Sequence, residues 1–400
     1  MKNKEREIRG SKMGINLPKW EELSRDEQVP IVNLPLNGNY VVVGGPGTGK
    51  TILALYRAAR WRKISENADS EISFLIFNRT LKQYIQDSID KMELEDSQVR
   101  TWHSWIYNFY KDHARGSCPE ISKYSPDWDK IEKDLEEVLK HKHIEYLILD
   151  EAQDFPPKLL SILARVSKSA TIFGDSQQAL TNALSTTDDF TSAFNAGRKV
   201  HYLNQNYRNT KEISDLAHLF YTGDETDIPA RPRRTGQKPR LTKCKDFEEA
   251  TSIIANYSNN NPALNIGVLI PNCSDRTSRI IRYCSSISTK SKGKVQKYIS
   301  GQKIGPESFS FDDDGVKILS YNTMKGLEFD AVFMVDIDDA FFIEENDLKN
   351  KAVYVGSTRA KDSLTFLYIN DNKSFILEKL KDNVELLEIS VSHSTGKAAF

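Results

Sequence analysis

The sequence has few cysteines, no long apolar run and almost no net charge. Its four cysteines, among 400 residues, include no C-x-x-C pair, so neither a zinc site nor a disulfide framework is indicated. Such a protein is expected to be cytoplasmic, where thiols stay reduced. No apolar stretch approaches the length that spans a bilayer, so no membrane partner is expected. Because the net charge is −1, any nucleic-acid binding must come from local patches.

A glycine-rich loop is the most informative motif in the chain. It follows the apolar run 40–43, which predicts a strand, and precedes a stretch that predicts a helix over 50–61. This strand–loop–helix order with the pattern G-x-x-x-x-G-K-[ST] is typical of a phosphate cradle, in which backbone N–H groups face an anion. The candidate nucleotide-binding residues are Gly45, Pro46, Gly47, Thr48, Gly49, Lys50 and Thr51. Lys50 is expected to reach the terminal phosphates, and the Thr51 hydroxyl to hold Mg²⁺.

An acidic pair provides the second half of the predicted ATP chemistry. The apolar run 146–149 predicts a buried parallel strand, and Asp150 and Glu151 follow at its carboxyl end. Ligands bind at that end of the strands in open α/β sheets. Asp150 is therefore the candidate metal ligand with Thr51, and Glu151 is the candidate base for the attacking water.

Strand and helix signals alternate along the chain and predict an α/β fold. We expect two domains, residues 1–200 and 201–400, with a strand at 199–203 opening the second. Two polar regions look like small insertions, one at about 113–142 and one at about 285–314. The first is expected to hold a helix over 126–140, with Ser125 as its N-cap. The second is expected to be irregular.

Five further motifs follow in a fixed order. They are Leu23-Ser24-Arg25-Asp26-Glu27-Gln28, Gly174-Asp175-Ser176-Gln177-Gln178, Asn206-Tyr207-Arg208, Lys325-Gly326-Leu327-Glu328-Phe329-Asp330 and Tyr354-Val355-Gly356-Ser357-Thr358-Arg359-Ala360. Together with the loop and the acidic pair, they make the chain resemble the superfamily 1 DNA helicases of the UvrD/Rep type. The resemblance covers about residues 23–366 and implies two RecA-like parallel-sheet domains in tandem, with an ATP cleft between them.

The resemblance also implies roles for individual residues. Gln28 would contact the adenine, Tyr207 would stack on it, and Glu328 would complete the nucleotide site. Gln178 would sense the γ-phosphate. Lys50 and Glu151 would belong to the first domain, whereas Arg208 and Arg359 would reach the phosphates from the second. The implied cofactors are ATP and Mg²⁺.

The resemblance further implies that single-stranded DNA contacts both domains. The matching positions are Asn78, Thr101, Trp102, His103, Asn322 and Thr323. Hydroxyl and amide groups hold phosphates, and aromatic rings stack on bases. Packing in the core is the alternative for Trp102 and Trp105, and RNA is the alternative track.

The chain also departs from the family pattern. The spaces 103–150 and 270–316 are too short for the family's two large accessory domains, so this resembles a reduced motor core. The main hypothesis is an ATP-dependent translocase that hydrolyses Mg-ATP as it moves on single-stranded DNA. The alternative is an ATP-gated switch that recruits a partner nuclease, or another protein subunit, in defence or repair without unwinding DNA itself.

Overall fold

The computed structural model describes residues 17–65, 72–114, 116–175, 185–197, 199–223, 232, 234–271, 273–299, 313–338, 346–371 and 374–391. These residues form two compact units, and the chain passes from the first to the second between Tyr207 and Arg208. Gln178 lies outside the described residues. Within these ranges, no helix combines the length and the apolar character that crossing a membrane requires.

The first unit is built on a sheet of six parallel strands in the order β3-β2-β6-β7-β1-β8. Strands β4 and β5 form a separate antiparallel hairpin. The strand bounds are β1 Asn39–Gly44, β2 Ile72–Ile76, β3 Val99–Thr101, β4 Glu120–Ser122, β5 Ser125–Pro126, β6 Ile144–Leu149, β7 Ser167–Gly174 and β8 Val200–Leu203. All five residues of β2 are buried, as expected where both faces of a parallel sheet are covered.

Helices cover this sheet and enclose its apolar core. They are α1 Gln28–Asn33, α2 Lys50–Ile64, α3 Arg79–Tyr84, α4 Gln86–Lys91, α5 Trp102–His113, α6 Trp128–Asp134, α7 Pro157–Val166 and α8 Thr187–Ala193. Helix α7 shows how packing orients them: Leu159, Leu160 and Leu163 are buried at the spacing of one helical face. The core therefore holds the sheet and fixes where each strand ends.

Strand β8 corrects one prediction. The segment 199–203 was expected to open the second domain, but β8 pairs with β1 in the first sheet, with Val41 opposite Val200 and Gly44 opposite Leu203. It is an edge strand with a single fully buried residue, Leu203. Its sequence therefore carries little burial signal to indicate which sheet it joins.

The region 113–142 also differs from its prediction. Helix α6 begins at Trp128, and the Asp127 carboxylate accepts a hydrogen bond from the Lys130 N–H at 3.2 Å. Ser125 and Pro126 lie in β5 instead. The predicted helix start was wrong because Asp127 satisfies the first turn, while the two preceding residues pair with β4.

The second unit has a sheet of seven parallel strands in the order β11-β12-β10-β13-β14-β9-β15. The strand bounds are β9 Arg240–Lys243, β10 Asn265–Ile270, β11 Val295–Lys297, β12 Gly315–Ser320, β13 Phe329–Met334, β14 Ala360–Tyr368 and β15 Glu388–Val391. The helices are α9 Lys211–His218, α10 Phe247–Asn260, α11 Arg276–Lys290, α12 Asn346–Ser357 and α13 Phe375–Lys381. Two parallel α/β sheets confirm the predicted fold class.

The region 285–314 is more ordered than expected. Helix α11 continues to Lys290, and β11 pairs in parallel with β12. The buried residues Ile280, Tyr283 and Ile287 give α11 its helical stripe, but the serines and threonines between them favour turns. The prediction of irregular structure was therefore wrong for the part of this region that is described.

Candidate functional site

The loop and the acidic pair meet at one edge of the first sheet. The glycine loop follows β1, Asp150 and Glu151 follow β6, and Asp175 follows β7. Strand β7 lies between β1 and β6, and all three run parallel. Their carboxyl ends therefore bring polar residues from distant parts of the chain to a common edge.

The glycine loop wraps around the ammonium group of Lys50. Lys50 is the first residue of α2 and is buried, and its Nζ donates to the carbonyl oxygens of Gly44 at 2.6 Å and Gly45 at 3.0 Å. Gly47 has a φ of 76° and Gly49 a φ of 90°, which other residues adopt only at a cost. A Cβ at Gly49 would also lie 2.7 Å from Gln28 Nε2. The curled loop thus requires glycine at these positions.

Thr51 and Asp150 form a pair of oxygen donors suited to Mg²⁺. The Thr51 hydroxyl donates to Asp150 Oδ2 at 2.7 Å. Burial raises the pKa of Asp150 to about 7, and the neighbouring charge of Glu151 adds to the shift. A fully buried carboxylate in this position gains from a cation, and hard oxygen ligands are those that Mg²⁺ prefers. The residues present therefore fit the predicted metal.

Glu151 follows Asp150 directly, and its carboxylate is held by the side-chain amide of Gln153. Its backbone is left-handed, with a φ of 55°. Gln153 Nε2 donates to Glu151 Oε2 at 2.6 Å, and Gln153 Oε1 accepts from the Asp175 N–H at 2.9 Å. Asp175 Oδ2 in turn lies 3.9 Å from Lys50 Nζ. Sequence reasoning missed Gln153 and Asp175 as site residues, although Asp175 stands in one of the motifs and Gln153 lies two positions after Glu151.

Gln28 and Tyr207 lie on either side of the loop and are hydrogen-bonded to it. Gln28 Nε2 donates to the Thr48 carbonyl at 3.2 Å, and its Oε1 accepts from the Ser24 N–H at 3.0 Å. The Tyr207 N–H donates to the Gly47 carbonyl at 2.9 Å. The Tyr207 side chain is 44% exposed.

A buried arginine positions the segment that follows Gln28. Arg57 is inaccessible to solvent and donates to the carbonyls of Ile31 at 2.9 Å and Pro35 at 3.1 Å, and to the Tyr146 hydroxyl at 2.8 Å. These bonds tie the end of α1 to β6. Sequence reasoning missed Arg57, since an arginine within a helix carries no local signal of burial.

In the second unit, Arg208 and Glu328 form an ion pair. Arg208 Nε lies 2.8 Å from Glu328 Oε2, and Lys361 Nζ lies 2.8 Å from Glu328 Oε1. Burial alone would raise the pKa of Glu328, but Arg208 and Lys361 outweigh it and lower that pKa to about 2. Glu328 is therefore ionised and holds two cations.

Arg359 lies within the same unit but faces inward. Its side chain is 1% exposed, and its guanidinium donates to the carbonyls of Val355 at 3.0 Å and Leu327 at 3.4 Å. Asn209 Nδ2 donates to the carbonyls on both sides of it, those of Thr358 at 3.2 Å and Ala360 at 2.5 Å. An arginine in this rotamer needs a side-chain rotation before it can contact a ligand.

The side chains predicted to hold nucleic acid cap local structure. Asn78 accepts from the Leu81 N–H at 2.7 Å, Thr101 accepts from the Ser104 N–H at 3.3 Å, and Thr323 donates to the Ser320 carbonyl at 2.8 Å. Asn322 lies in the 3₁₀ turn Tyr321–Thr323, and its side chain is outside the described set.

Trp102 requires a correction. It is 4% exposed, and its ring lies 6.1 Å from that of Trp128 and 6.4 Å from that of Phe155. Trp105 is 3% exposed. The prediction that Trp102 meets a base was wrong, because the ring is part of the core. His103 stacks on Trp102 and is half-buried, and burial lowers the pKa of its imidazole.

Comparisons with known proteins agree with the order of these motifs. Residues 29–183 match the model of an AAA domain, and residues 278–371 match the model of the UvrD-like helicase C-terminal domain. The first range holds the loop and the acidic pair, and the second holds Glu328 and Arg359.

One curated relative and one solved structure show more distant likeness. The relative, from Acanthamoeba polyphaga mimivirus, carries the name "Putative ATP-dependent DNA helicase R568". It is 23% identical over 279 residues, which are 62% of this chain and 38% of the relative. The structure is the C-terminal domain of a possible DNA helicase from Lactobacillus plantarum WCFS1, with 17% identity, a TM-score of 0.33, and coverage of 46% of this chain and 98% of that one.

The two family models match separate segments in the order in which the motifs occur, and the curated relative spans a comparable stretch. Together these matches support a UvrD/Rep-type superfamily 1 helicase.

Proposed function

We propose that this chain hydrolyses Mg-ATP and couples hydrolysis to movement on single-stranded DNA. The hydrogen bond of 2.7 Å between Thr51 and Asp150 carries the proposal, since it joins two motifs 99 positions apart in sequence. A hydroxyl and a carboxylate that meet beside a glycine loop form the metal-holding half of a phosphoryl-transfer site. The curated relative matches over only 38% of its own length, so its activity is an inference for this chain.

The first unit supplies the groups that act on the phosphates and on water. The loop N–H groups bind phosphate oxygens, and Lys50 leaves the Gly44 and Gly45 carbonyls to contact the terminal phosphates. Thr51 and Asp150 would hold Mg²⁺, which when bound neutralises phosphate charge. Glu151 accepts the proton of the attacking water, and Gln153 keeps the Glu151 carboxylate oriented. Gln178, which lies outside the described residues, retains the predicted role of γ-phosphate sensor.

The nucleoside half of ATP has candidate contacts beside the loop. The Gln28 amide is fixed by two hydrogen bonds, one from its Nε2 to the Thr48 carbonyl and one to its Oε1 from the Ser24 N–H, which leaves its second N–H and second lone pair for adenine. The half-exposed Tyr207 ring offers the flat apolar face that a base stacks on. Both residues are tied directly to the glycine loop, so base and phosphate contacts are linked.

The second unit contributes the arginines and Glu328. We infer that Arg208 and Arg359 stabilise the charge that develops on the γ-phosphoryl oxygens, as guanidinium groups do in phosphoryl transfer. Arg208 would exchange Glu328 for phosphate, and Arg359 would rotate out of its carbonyl contacts. Glu328, once released, has a carboxylate available for the nucleotide. RNA in place of DNA remains the alternative track.

A nucleic-acid-stimulated ATPase assay tests this proposal. Hydrolysis should be slow alone and rise strongly with single-stranded DNA, and binding should weaken with salt with a log–log slope of about −0.7 per phosphate contact. Lys50→Ala should lose both nucleotide affinity and turnover. Glu151→Gln should keep ATP bound but lower turnover by about 10²- to 10⁴-fold. Glu145→Gln is the control and should match the wild type. It changes an exposed carboxylate of β6, the strand that Glu151 follows, which is paired with Lys168 of β7. If neither DNA nor RNA stimulates hydrolysis, the motor is excluded.

The burial of Trp102 and Trp105 favours a second candidate, since it removes two aromatic rings from the expected track. In that case the chain is an ATP-gated module that recruits a partner nuclease or another subunit. Displacement of streptavidin from one end of a biotinylated strand, and not from the other, distinguishes the two. Directional displacement of streptavidin by the purified chain argues for the motor. ATP-dependent binding of a partner protein, with no displacement of streptavidin, argues for the module.

A further inference from the structure

We propose that the β4–β5 hairpin is a single-stranded nucleic-acid contact, in which the Tyr124 ring stacks on a base and flanking cations meet the phosphates. This inference rests on the proposed function and assigns the aromatic contact to a different residue from Trp102. Neither the motifs nor the family matches assign a role to Tyr124. The hairpin lies in the short segment 116–127, between the helices α5 and α6.

The hairpin is attached to the part of the first unit where nucleic acid is expected. The Tyr124 backbone lies close enough to the His103 ring to raise the pKa of the imidazole, although burial lowers it by more, and the Tyr107 hydroxyl donates to the Glu120 carboxylate. The same carboxylate accepts from the Tyr124 N–H at 3.0 Å. Both His103 and Tyr107 belong to α5, which follows β3 directly. The hairpin tip is thus fixed next to the carboxyl end of the sheet.

The conformation and exposure of Tyr124 are not explained by packing. Its side chain is 69% exposed, although it is a large aromatic residue. Its φ of 65° is left-handed, and a two-residue turn with that angle favours glycine or asparagine. A bulky side chain with positive φ is an outlier, and such outliers concentrate at binding sites. An exposed ring held at a strained tip is well placed to meet a flat ligand.

A cation lies beside the ring, while the nearby Glu120 carboxylate is occupied by the Tyr107 hydroxyl and the Tyr124 N–H. Lys123 Nζ lies 5.2 Å from the centre of the Tyr124 ring. Arg79, which is exposed at the start of α3, acts electrostatically on His103. An aromatic face with one cation beside it and a second cation acting on the neighbouring His103 is a combination that suits single strands with little sequence preference. A single strand presents both a base for the ring and phosphates for the cations, so nucleic acid is the favoured occupant.

Binding of fluorescein-labelled oligothymidylate, followed by fluorescence anisotropy at low salt, tests the role of the ring. Tyr124→Ala should weaken binding by about 5- to 150-fold, the range for one stacked base, whereas Tyr124→Phe should retain wild-type affinity. Tyr124→Gly should lose affinity while its urea midpoint rises or stays unchanged, because glycine relieves the left-handed backbone. The matched control is Ile121→Ala, which removes a 76% exposed residue of the same hairpin and should bind like the wild type.

A photocrosslink provides an independent readout. An oligonucleotide with 5-iodouracil should crosslink to Tyr124 in the wild type, and mass spectrometry should locate the adduct there. Equal affinity of Tyr124→Ala and wild type, or equal losses for Tyr124→Ala and Ile121→Ala, would overturn the stacking role. Either result leaves the motor intact as long as the wild type binds the oligonucleotide. No binding by the wild type would instead contradict the proposed function.

Discussion

The two units place their candidate ATP residues at opposite ends of their strands. In the first, the glycine loop and the acidic pair follow β1 and β6, at the carboxyl edge of the sheet. In the second, Glu328 directly precedes β13 and Arg359 directly precedes β14, at the amino edge. The carboxyl edge of the first unit is where α/β sheets ordinarily bind ligands. The amino edge of the second has no such general rule, so its residues depend on side-chain pairing.

The electrostatics of two carboxylates show the same difference. Asp150 is surrounded by apolar strands and a second acid, and burial raises its pKa to about 7. Glu328 is also largely shielded from water, but Arg208 and Lys361 reverse the effect of burial and lower its pKa to about 2. The first site is therefore prepared for an added cation, whereas the second already carries its own. Mg²⁺ would be the charge partner of Asp150. Arg208 must leave its own charge partner, Glu328, before it can contact a phosphate.

The largest expected effect is the loss of ATP turnover when either arginine of the second unit is removed, and the loss of stability distinguishes the two variants. Arg208→Ala and Arg359→Ala should each lower ATP turnover by about 10³- to 10⁵-fold, because each guanidinium is proposed to stabilise the transition state. Arg359→Ala should also destabilise the fold by about 2 to 4 kcal/mol, since it empties a buried position and removes the guanidinium hydrogen bonds to the Val355 and Leu327 carbonyls. Arg208→Ala should cost much less, because its ion pair is partly exposed.

Single-turnover ATPase rates and urea midpoints measure both effects. Lys245→Ala, which changes an exposed cation of the same unit, should alter neither the rate nor the midpoint. Full ATP turnover in Arg208→Ala would show that Arg208 does not stabilise the transition state.

A medium effect concerns Asp150. Its raised pKa means that the folded state holds the proton more tightly than the unfolded state, so stability falls as pH rises through the interval from about 4 to 7. In Mg-free buffer at pH 8, Asp150→Asn should therefore stabilise the protein by about 1 to 3 kcal/mol, while it abolishes turnover.

Urea unfolding at pH 8 and pH 5 checks the sign. The gain should shrink at pH 5, where the wild-type carboxyl is protonated. Glu136→Gln, which removes an exposed carboxyl of the same unit, should change neither midpoint. A loss of stability in Asp150→Asn at pH 8 would contradict the proposed cost of the buried charge.

The smallest effect concerns Glu328, whose contribution to stability grows as pH rises, whereas that of Asp150 falls. The folded pKa is lowered, so the stabilisation is present above the unfolded value of about 4.3 and is lost as pH falls toward about 2. Glu328→Gln should lower the urea midpoint at pH 6, because Arg208 and Lys361 lose their partner, and the deficit should narrow at pH 3. A deficit that is equal at both pH values would indicate that packing, and not charge, is what the glutamate provides.

Different features of the sequence were predictable for different reasons. The strands 40–43, 265–270 and 331–335 lie within β1, β10 and β13 or extend one residue beyond them, because buried parallel strands are continuous apolar runs. Helix α11 was missed because serine and threonine separate its apolar residues. Edge strand β8 was assigned to the wrong domain because its partner, β1, lies about 160 positions away.

The candidate site also contains features that local sequence predicts and features that depend on distant residues. The glycine loop is a local signal: the left-handed angles of Gly47 and Gly49 follow from residue type within a few positions. The contacts of Gln153, the burial of Arg57 and the inward rotamer of Arg359 depend on which distant residues surround them. None of these has a short-range pattern that distinguishes it from a solvated side chain.

The sequence by itself determined the phosphate loop, the acidic pair after a buried strand and the succession of parallel strands, because each depends on backbone preferences and apolar runs within about ten residues. Only the tertiary structure decided that Trp102 belongs to the core, that the Tyr124 ring is exposed, and that Arg208 and Lys361 share Glu328. Burial and ion pairing are sums over neighbours that the chain brings together only when it folds.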